Sequence, residues 1–238
     1  MAQFSWKVIE SKPASLHSVL ESVEKCNNDI SLCLHSSSHK TRILSQLETF
    51  LQSVREISED PSFKQYIETL PSLEFLKTTG VVQIHPSYLG NVNSGIYAYL
   101  SNFLMHYNDD FSGVWISCGD IVPLDSLGYL TTGDYQGLVS LRISLRVLAF
   151  IPKLDVIIGK ISRIRPRSIS VLAYGIFNVS VKPENLPEIK QENSEYSLVC
   201  NGKTVSENAL LTLQLIGVNV LKRNKWLNLS AKLHNVTE

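Results

Sequence analysis

The segment from Val156 to Pro183 constrains the fold of this chain more than any other part of the sequence. From Val156 onward, residues alternate with the period of two that is typical of a β-strand, and Ser168–Tyr174 has the pattern of an antiparallel partner. Pro166 lies between the two runs, where it favours a turn. Gly159 interrupts a β-branched run, and a missing side chain there allows the coiling or bulge that a closed barrel requires. The segment therefore predicts the start of a small β-barrel.

Three later runs complete the predicted barrel. Phe177–Val181, Ala209–Leu221 and Trp226–Leu233 are strand-like, and Asn224 is a turn residue between the last two. Five short strands at this spacing fit an OB-type barrel. Lys182–Gly202 is polar and contains proline, so we expect an irregular connection there.

The first 150 residues have a different pattern, which mixes helices and strands. Thr41–Ser58 has apolar residues at helical spacing, and a shorter helix follows Asp60-Pro61 and ends at Pro71, so a helical hairpin is predicted at about residues 39–79. An earlier helix is predicted to stop at Asn27-Asn28-Asp29. The other predicted elements are a strand or arm at Phe4–Glu10, strands at Val81–His85, Phe111–Val122 and Leu138–Phe150, a helix from Pro86 to Tyr107, and a turn region at Asp125–Gly137.

The predicted fold class is therefore α+β, with an N-terminal α+β domain followed by a five-stranded OB-type barrel. The predicted domains are residues 1–150, which include the helical hairpin, and residues 151–238. A chain of 238 residues accommodates two domains of ordinary size.

Composition excludes some classes of function. The chain has 22 basic and 22 acidic residues, so the whole molecule is not a general polyanion binder, and any contact with nucleic acid requires a local patch. Four cysteines without a CxxC pair indicate inert thiols in a reducing compartment. No apolar run approaches the roughly 20 residues of a membrane span, and no signal-peptide pattern begins the chain, so we expect an intracellular, soluble protein without a membrane partner.

Motifs of catalysis are missing from the sequence. It contains no GxSxG, no HExxH, no phosphate-binding loop and no GxGxxG, and its six histidines are dispersed. We therefore predict a binding protein with no catalytic residues, no metal and no cofactor.

The turn between the first two barrel strands is basic, and its role has two interpretations. Lys160, Arg163, Arg165 and Arg167 could line a groove for single-stranded RNA, with Tyr174 and Phe177 available for stacking on bases. The alternatives are that the basic residues form an ordinary solvated surface and that the two aromatic residues belong to the core. The sequence leaves both open.

The order of the parts resembles a known family. The segments HPSYL at His85–Leu89, GIYAYLSNFLMHY at Gly95–Tyr107 and GKISRI at Gly159–Ile164 resemble the stalk subunits of multisubunit RNA polymerases. The phrase YGIFNVSVKPENLP, which begins at Tyr174, is most similar to the larger stalk subunit of RNA polymerase I. Relative to that family, the helical hairpin at about 39–79 is an insertion.

The resemblance implies a non-catalytic accessory subunit of a nucleotidyltransferase complex. In the family, an N-terminal tip domain docks on the polymerase core, and the barrel projects outward. It further implies a smaller stalk partner, recruitment of the polymerase I initiation factor for ribosomal RNA synthesis, contact with nascent RNA, and location in the nucleus and nucleolus. The alternative is a free-standing OB-fold RNA-binding protein in translation or RNA processing.

Residues for both contacts follow from the resemblance. The candidate contacts to the polymerase core are Gly113, Trp115, Gly119, Asp125 and Gly128. The candidate RNA-binding residues are those of the basic turn and its aromatic neighbours, namely Lys160, Arg163, Arg165, Arg167, Tyr174 and Phe177.

Overall fold

The chain forms two compact units in which helices and strands are mixed. The computed structural model describes residues 5–33, 38–66, 68–130, 137–181, 188–192, 195–200, 203–221 and 226–236. The first unit comprises Met1–Glu48 and Leu73–Ile151, and the second comprises Thr49–Ser72 and Pro152–Glu238. The predicted mixed α+β class is confirmed.

The described helices are α1 (Leu16–Cys33), α2 (Ser38–Glu59) and α3 (Val92–Leu100), with 3-10 helices at Pro61–Tyr66 and Pro86–Tyr88. The helix predicted within the insertion is confirmed as α2. The second helix of the predicted hairpin is instead the single short 3-10 segment that follows Asp60. A hydrogen bond from the Phe63 amide to the Asp60 carbonyl, at 3.1 Å, closes the first turn of this segment.

The strands of the first unit form one antiparallel sheet. They are β1 (Lys7–Pro13), β2 (Leu73–Ile84), β3 (Tyr107–Asn108), β4 (Gly113–Pro123), β5 (Tyr129–Leu130) and β6 (Val139–Phe150). The order is β1-β2-β6-β4-β3, and β5 pairs with β6. Helix α1 packs against β4 and α3 against β2. Of the apolar residues that predicted one helix from Pro86 to Tyr107, Ile96, Leu100 and Leu104 are buried, whereas Leu89 and Val92 are exposed.

Three predicted boundaries in this unit are wrong. Helix α1 continues through Asn27 to Cys33, because Cys26 and Ile30 extend its buried face. The predicted helix from Pro86 is much shorter, since α3 ends at Leu100 and Met105 has a positive φ that turns the chain. Strand β2 begins at Leu73 and not at Val81, so the last residues assigned to the insertion are strand. Pairing with both β1 and β6 sets that boundary, and such pairing is invisible to local pattern.

The second unit contains the predicted barrel. Its strands are β7 (Val156–Arg165), β8 (Ser168–Ala173), β9 (Phe177–Val181), β13 (Leu210–Leu221) and β14 (Trp226–Val236). They close in the order β13-β14-β9-β8-β7, and β13 also pairs with β7. Only the β9–β14 pair among these is parallel. Read in the opposite direction, from β7, the strands follow in the order first, second, third, fifth and fourth of the barrel, which confirms a closed five-stranded barrel of OB type.

The connection between β9 and β13 differs from the prediction. Where an irregular segment was expected, a small antiparallel sheet contains β10 (Glu188–Glu192), β11 (Glu195–Cys200) and β12 (Lys203–Val205). The polar residues of this segment concealed the strands, although Leu198 of β11 and Val205 of β12 are buried.

Part of the insertion packs within the second unit against the barrel. The Tyr174 hydroxyl donates to the Pro71 carbonyl at 2.7 Å, and the Tyr174 ring lies 6.0 Å from that of Phe50. Gly175 has a φ of +74° and approaches the Thr49 carbonyl so closely that a Cβ atom would lie 3.1 Å from it. Described residues of this segment, such as Phe50 and Pro71, therefore pack against the barrel within the second unit.

Candidate functional site

An irregularity in β7 decides which face of the barrel carries the basic side chains. Ile161 pairs with Val171, but Arg163 pairs with Ser170, so Ser162 is an extra residue that forms a β-bulge. A bulge shifts the inside–outside alternation by one residue. Lys160 before the bulge and Arg163 after it consequently share the outer face, while Ile164 stays buried.

Three arginines of the predicted RNA site come together at the end of the β7–β8 hairpin. Arg165 pairs with Ser168, and Pro166 and Arg167 form the two-residue turn between them. We call Arg163, Arg165 and Arg167 the arginine corner. All three are exposed, and none has an ion-pair partner among the residues that the structure describes.

Lys160 stands apart from the arginine corner in its electrostatics. Its ammonium lies 3.1 Å from the carboxylate of Glu56 on α2, and both side chains are about one-third exposed, at 35% and 34%. The hydrogen bond from Lys160 is the main cause of a lowered pKa at Glu56. The lysine charge is therefore offset within the second unit, a feature that sequence reasoning missed because Glu56 is remote in the chain.

One carboxylate lies beside the corner. Glu207 accepts a hydrogen bond from the backbone amide of Ile164 at 3.1 Å, which places it between two of the arginines along β7. Among the residues that the structure describes, the corner then has three positive charges, with the negative charge of Glu207 beside them. A local field of that size suits weak, salt-sensitive contact with a phosphate backbone.

The two aromatic residues assigned to RNA stacking are core residues. Tyr174 is fully buried, and Phe177 is 6% exposed. Burial raises the pKa of the Tyr174 phenol above its usual value. The stacking role proposed for these side chains is corrected accordingly, because a buried ring has no face available to a base. Of the two interpretations that the sequence left open, the structure supports the core.

Apart from Leu172, the described outer-face residues of the second and third barrel strands are small and polar. Ser170 lies opposite Ser180, and Leu172 lies opposite Asn178. The described outer-face residues of these two strands include no aromatic ring. The surface next to the corner therefore suits backbone contact better than base stacking.

Two of the predicted core-contact residues are also buried. Trp115 is completely buried and packs against the rings of Trp6 and Phe111, at centroid distances of 5.1 and 5.9 Å. Gly113 is also buried, and a Cβ at this position would lie 2.8 Å from the Phe150 carbonyl. Neither Trp115 nor Gly113 presents a side chain at the surface of the first unit, and their role as contacts to the polymerase core stays a prediction.

The end of β4 and the residues after it expose a series of large apolar side chains. They are Val122, Leu124, Leu127, Tyr129 and Leu130, which are 49–76% exposed. We call this series the apolar loop; it also contains the predicted contacts Asp125 and Gly128, while Gly119 lies just before it in β4. Sequence reasoning treated the region as a turn and missed its leucines, although their density in a Gly- and Asp-containing stretch was a visible signal.

An ion pair holds the apolar loop in place. Arg142 of β6 binds the carboxylate of Asp125 through two nitrogens, at 2.7 and 2.9 Å, and the Tyr129 hydroxyl donates to the same carboxylate at 2.6 Å. The hydrogen bonds from Arg142 and Tyr129 lower the pKa of Asp125 to about 2. Arg146 of the same strand is likewise paired, with Asp120.

A groove of about 590 Å³ lies along the open face of the same sheet. Phe75, Val122 and Leu124 contribute apolar surface to it. Its lining carries three basic side chains, Lys12, Lys77 and Arg146, and two acidic ones, Glu10 and Asp120. Arg146 lies 4.8 Å from the centre of the Phe75 ring and 3.1 Å from Asp120. The groove is continuous with the apolar loop and has a small excess of positive charge.

Other kinds of site lack support in the described residues. In the described ranges, no group of three or more His, Cys, Asp or Glu side chains is placed to hold a metal ion. Among the helices that the structure describes, none has the length and apolar character needed to cross a bilayer.

Comparison with known families gives a match inside the first unit. Residues 79–134 match the SHS2 domain found in the N terminus of Rpb7p/Rpc25p/MJ0397. This SHS2 domain runs from the end of β2 through α3, β3 and β4 to the apolar loop. The match supports the family of RNA polymerase stalk subunits, which are non-catalytic, and thereby the resemblance seen in the sequence. No curated protein is significantly similar to the chain.

Proposed function

We propose that the protein is the larger stalk subunit of RNA polymerase I. The observation that carries the proposal is the SHS2 domain of the Rpb7/Rpc25 type followed in the same chain by a closed OB-type barrel. The assignment to polymerase I rests on the phrase that begins at Tyr174. The proposal includes a smaller stalk partner, recruitment of the polymerase I initiation factor, and residence in the nucleus and nucleolus.

The apolar loop is the proposed contact with the polymerase core. Exposed leucines on a loop that Arg142 and Asp125 hold in place form a preordered apolar surface, and contiguous surfaces of this kind mark interaction sites. Preordering lowers the entropy that is lost on binding. Asp125 thus acts by positioning the leucines, and Gly119 and Gly128 stay candidate contacts.

Affinity purification from the source cells tests the proposal. We expect the tagged chain to recover the large subunits of RNA polymerase I, and recovery of polymerase II or III subunits instead would correct the class. Leu127→Asp should abolish recovery, whereas Leu154→Asp, at a leucine that is 66% exposed outside the loop, should not. Recovery of no polymerase subunit by the unmodified chain would refute the function.

The arginine corner supports a second role, the weak binding of nascent RNA leaving the polymerase. A free-standing OB-fold RNA-binding protein is the alternative that this corner favours. The two differ in strength, because a stalk subunit without its partners should bind RNA weakly and an independent RNA-binding module should bind it tightly. Titration of the isolated protein with single-stranded RNA distinguishes them.

A further inference from the structure

The first serine after the arginine corner has a sequence setting that RNA binding does not explain. Arginines stand one, three and five positions before Ser168, and three and five positions before Ser170. Basophilic protein kinases select arginines at fixed distances before the acceptor hydroxyl, because acidic side chains of the kinase pair with the guanidinium groups. Both serines satisfy this spacing, so the sequence alone does not distinguish them.

The structure separates the two serines. Ser168 is the first residue of β8 and, among the described residues, pairs only with Arg165, since the described pairing of β8 with β9 begins at Ile169. Ser170 is held on both sides, by Arg163 and by Ser180. In the described part of the chain, access to Ser168 therefore requires opening only the end of the β7–β8 hairpin, whereas access to Ser170 requires breaking two strand pairs of the barrel.

The Ser168 side chain is available for modification. It is half-buried next to an exposed turn, and its hydroxyl has no hydrogen-bond partner among the described residues. Modification of this hydroxyl would therefore break no side-chain hydrogen bond in the described part of the chain.

A phosphate at this position would meet two arginines. Arg165 lies directly across the strand pair from Ser168, where Cβ atoms are about 5 Å apart, and Arg163 is the diagonal neighbour on the same face, within reach of a long side chain. A phosphoserine carries about −1.5 to −2 charges at neutral pH and three acceptor oxygens that arginine binds well. It would offset most of the charge of the arginine corner.

We propose that Ser168 accepts a phosphoryl group from ATP through an arginine-directed protein kinase, and that the phosphate removes the affinity of the corner for RNA. In the transfer, the Ser168 Oγ–phosphorus bond forms as the bond from the γ-phosphorus to the β–γ bridging oxygen breaks. ADP leaves, and the hydroxyl proton passes to the base of the kinase. The second part of this proposal rests on the RNA binding proposed above.

Phosphorylation of the full chain in vitro tests the acceptor assignment. The protein is incubated with Mg-ATP and an AGC-type kinase that selects arginine at the third and fifth positions before the acceptor, and the product is mapped by mass spectrometry. We expect one phosphate, on Ser168. Ser168→Ala should abolish it, and the matched control Ser170→Ala should leave it unchanged.

Two arginine variants sharpen the assignment. Arg165→Ala should slow phosphorylation by about tenfold or more, because the kinase loses a charge-assisted hydrogen bond. Arg167→Ala keeps the arginines at the third and fifth positions before Ser168 and should be phosphorylated at nearly the wild-type rate. Absence of phosphate on the wild-type chain, or equal phosphate on Ser170, would overturn the proposal.

RNA titration of the phosphorylated and unmodified chains tests the second part. The salt dependence of binding should nearly vanish on phosphorylation, and Ser168→Ala treated with the same kinase should retain it. Equal RNA binding before and after phosphorylation would overturn the switch. The mapping of the phosphate does not involve RNA. If the unmodified chain fails to bind RNA, the proposed RNA role is refuted, and the assignment of Ser168 as the acceptor is still decided by the mass-spectrometric result.

Discussion

Replacement of the three corner arginines by alanine should remove the salt dependence of RNA binding. Each phosphate contact with a single strand contributes about 0.7 to the negative slope of log affinity against log salt, so three exposed arginines predict a slope of about −2. Affinity should then fall by roughly fifteen- to twentyfold between about 50 and 200 mM salt. Lys160 is left out of this sum because Glu56 pairs with it at 3.1 Å.

Fluorescence anisotropy with a labelled single-stranded RNA measures this slope. Arg163→Ala alone should reduce its size by about 0.7, and Glu56→Gln, which releases Lys160, should increase it by the same amount. Lys232→Ala removes one positive charge from an exposed position on β14 and should leave the slope unchanged. An unchanged slope in the triple variant, or an equal effect of Lys232→Ala, would refute the corner as the RNA contact.

Three further predictions concern the parts that hold the two surfaces. Gly159→Ala places a Cβ 2.6 Å from a Val171 methyl and should lower the free energy of unfolding by about 1–3 kcal/mol, as measured by urea denaturation. The control Gly217→Ala should be nearly neutral, because the nearest atom to its new Cβ is 3.8 Å away. Equal stabilities of the two variants would contradict the close approach of β7 and β8. Tyr174→Phe leaves the Pro71 carbonyl without its donor and should cost about 1–2 kcal/mol in the same assay, and no loss would argue against that hydrogen bond. The Asp125 carboxyl, followed by carbon NMR, should titrate at about pH 2. The ion pair between Asp125 and Arg142, which holds the apolar loop, is then complete above the ordinary pKa of 3.8 and is lost as the pH falls through about 2. A midpoint near 3.8 in the unmodified chain would show that this ion pair is absent in solution.

Local pattern was sufficient for the barrel strands and for α2. Alternation with a period of two placed β7, β8, β9, β13 and β14, and helical spacing placed α2, because each depends on residues that are neighbours in the chain. The predicted turn at Pro166 followed from a single residue type. The arginines of the corner were identified for the same reason, since exposed charge at a turn is a local property.

Long-range pairing decided the rest. The bulge at Ser162, which places Lys160 and Arg163 on one face, exists only relative to β8. Tyr174 became a core residue because the distant Phe50 and Pro71 cover it, and Arg142 became a clamp because Asp125 lies within reach. Sequence alone determined the five strands of the barrel, the main helix of the insertion, and where positive charge gathers. Only tertiary contacts decided which of those side chains remain free to bind a partner, since burial and pairing depend on residues far apart in the chain.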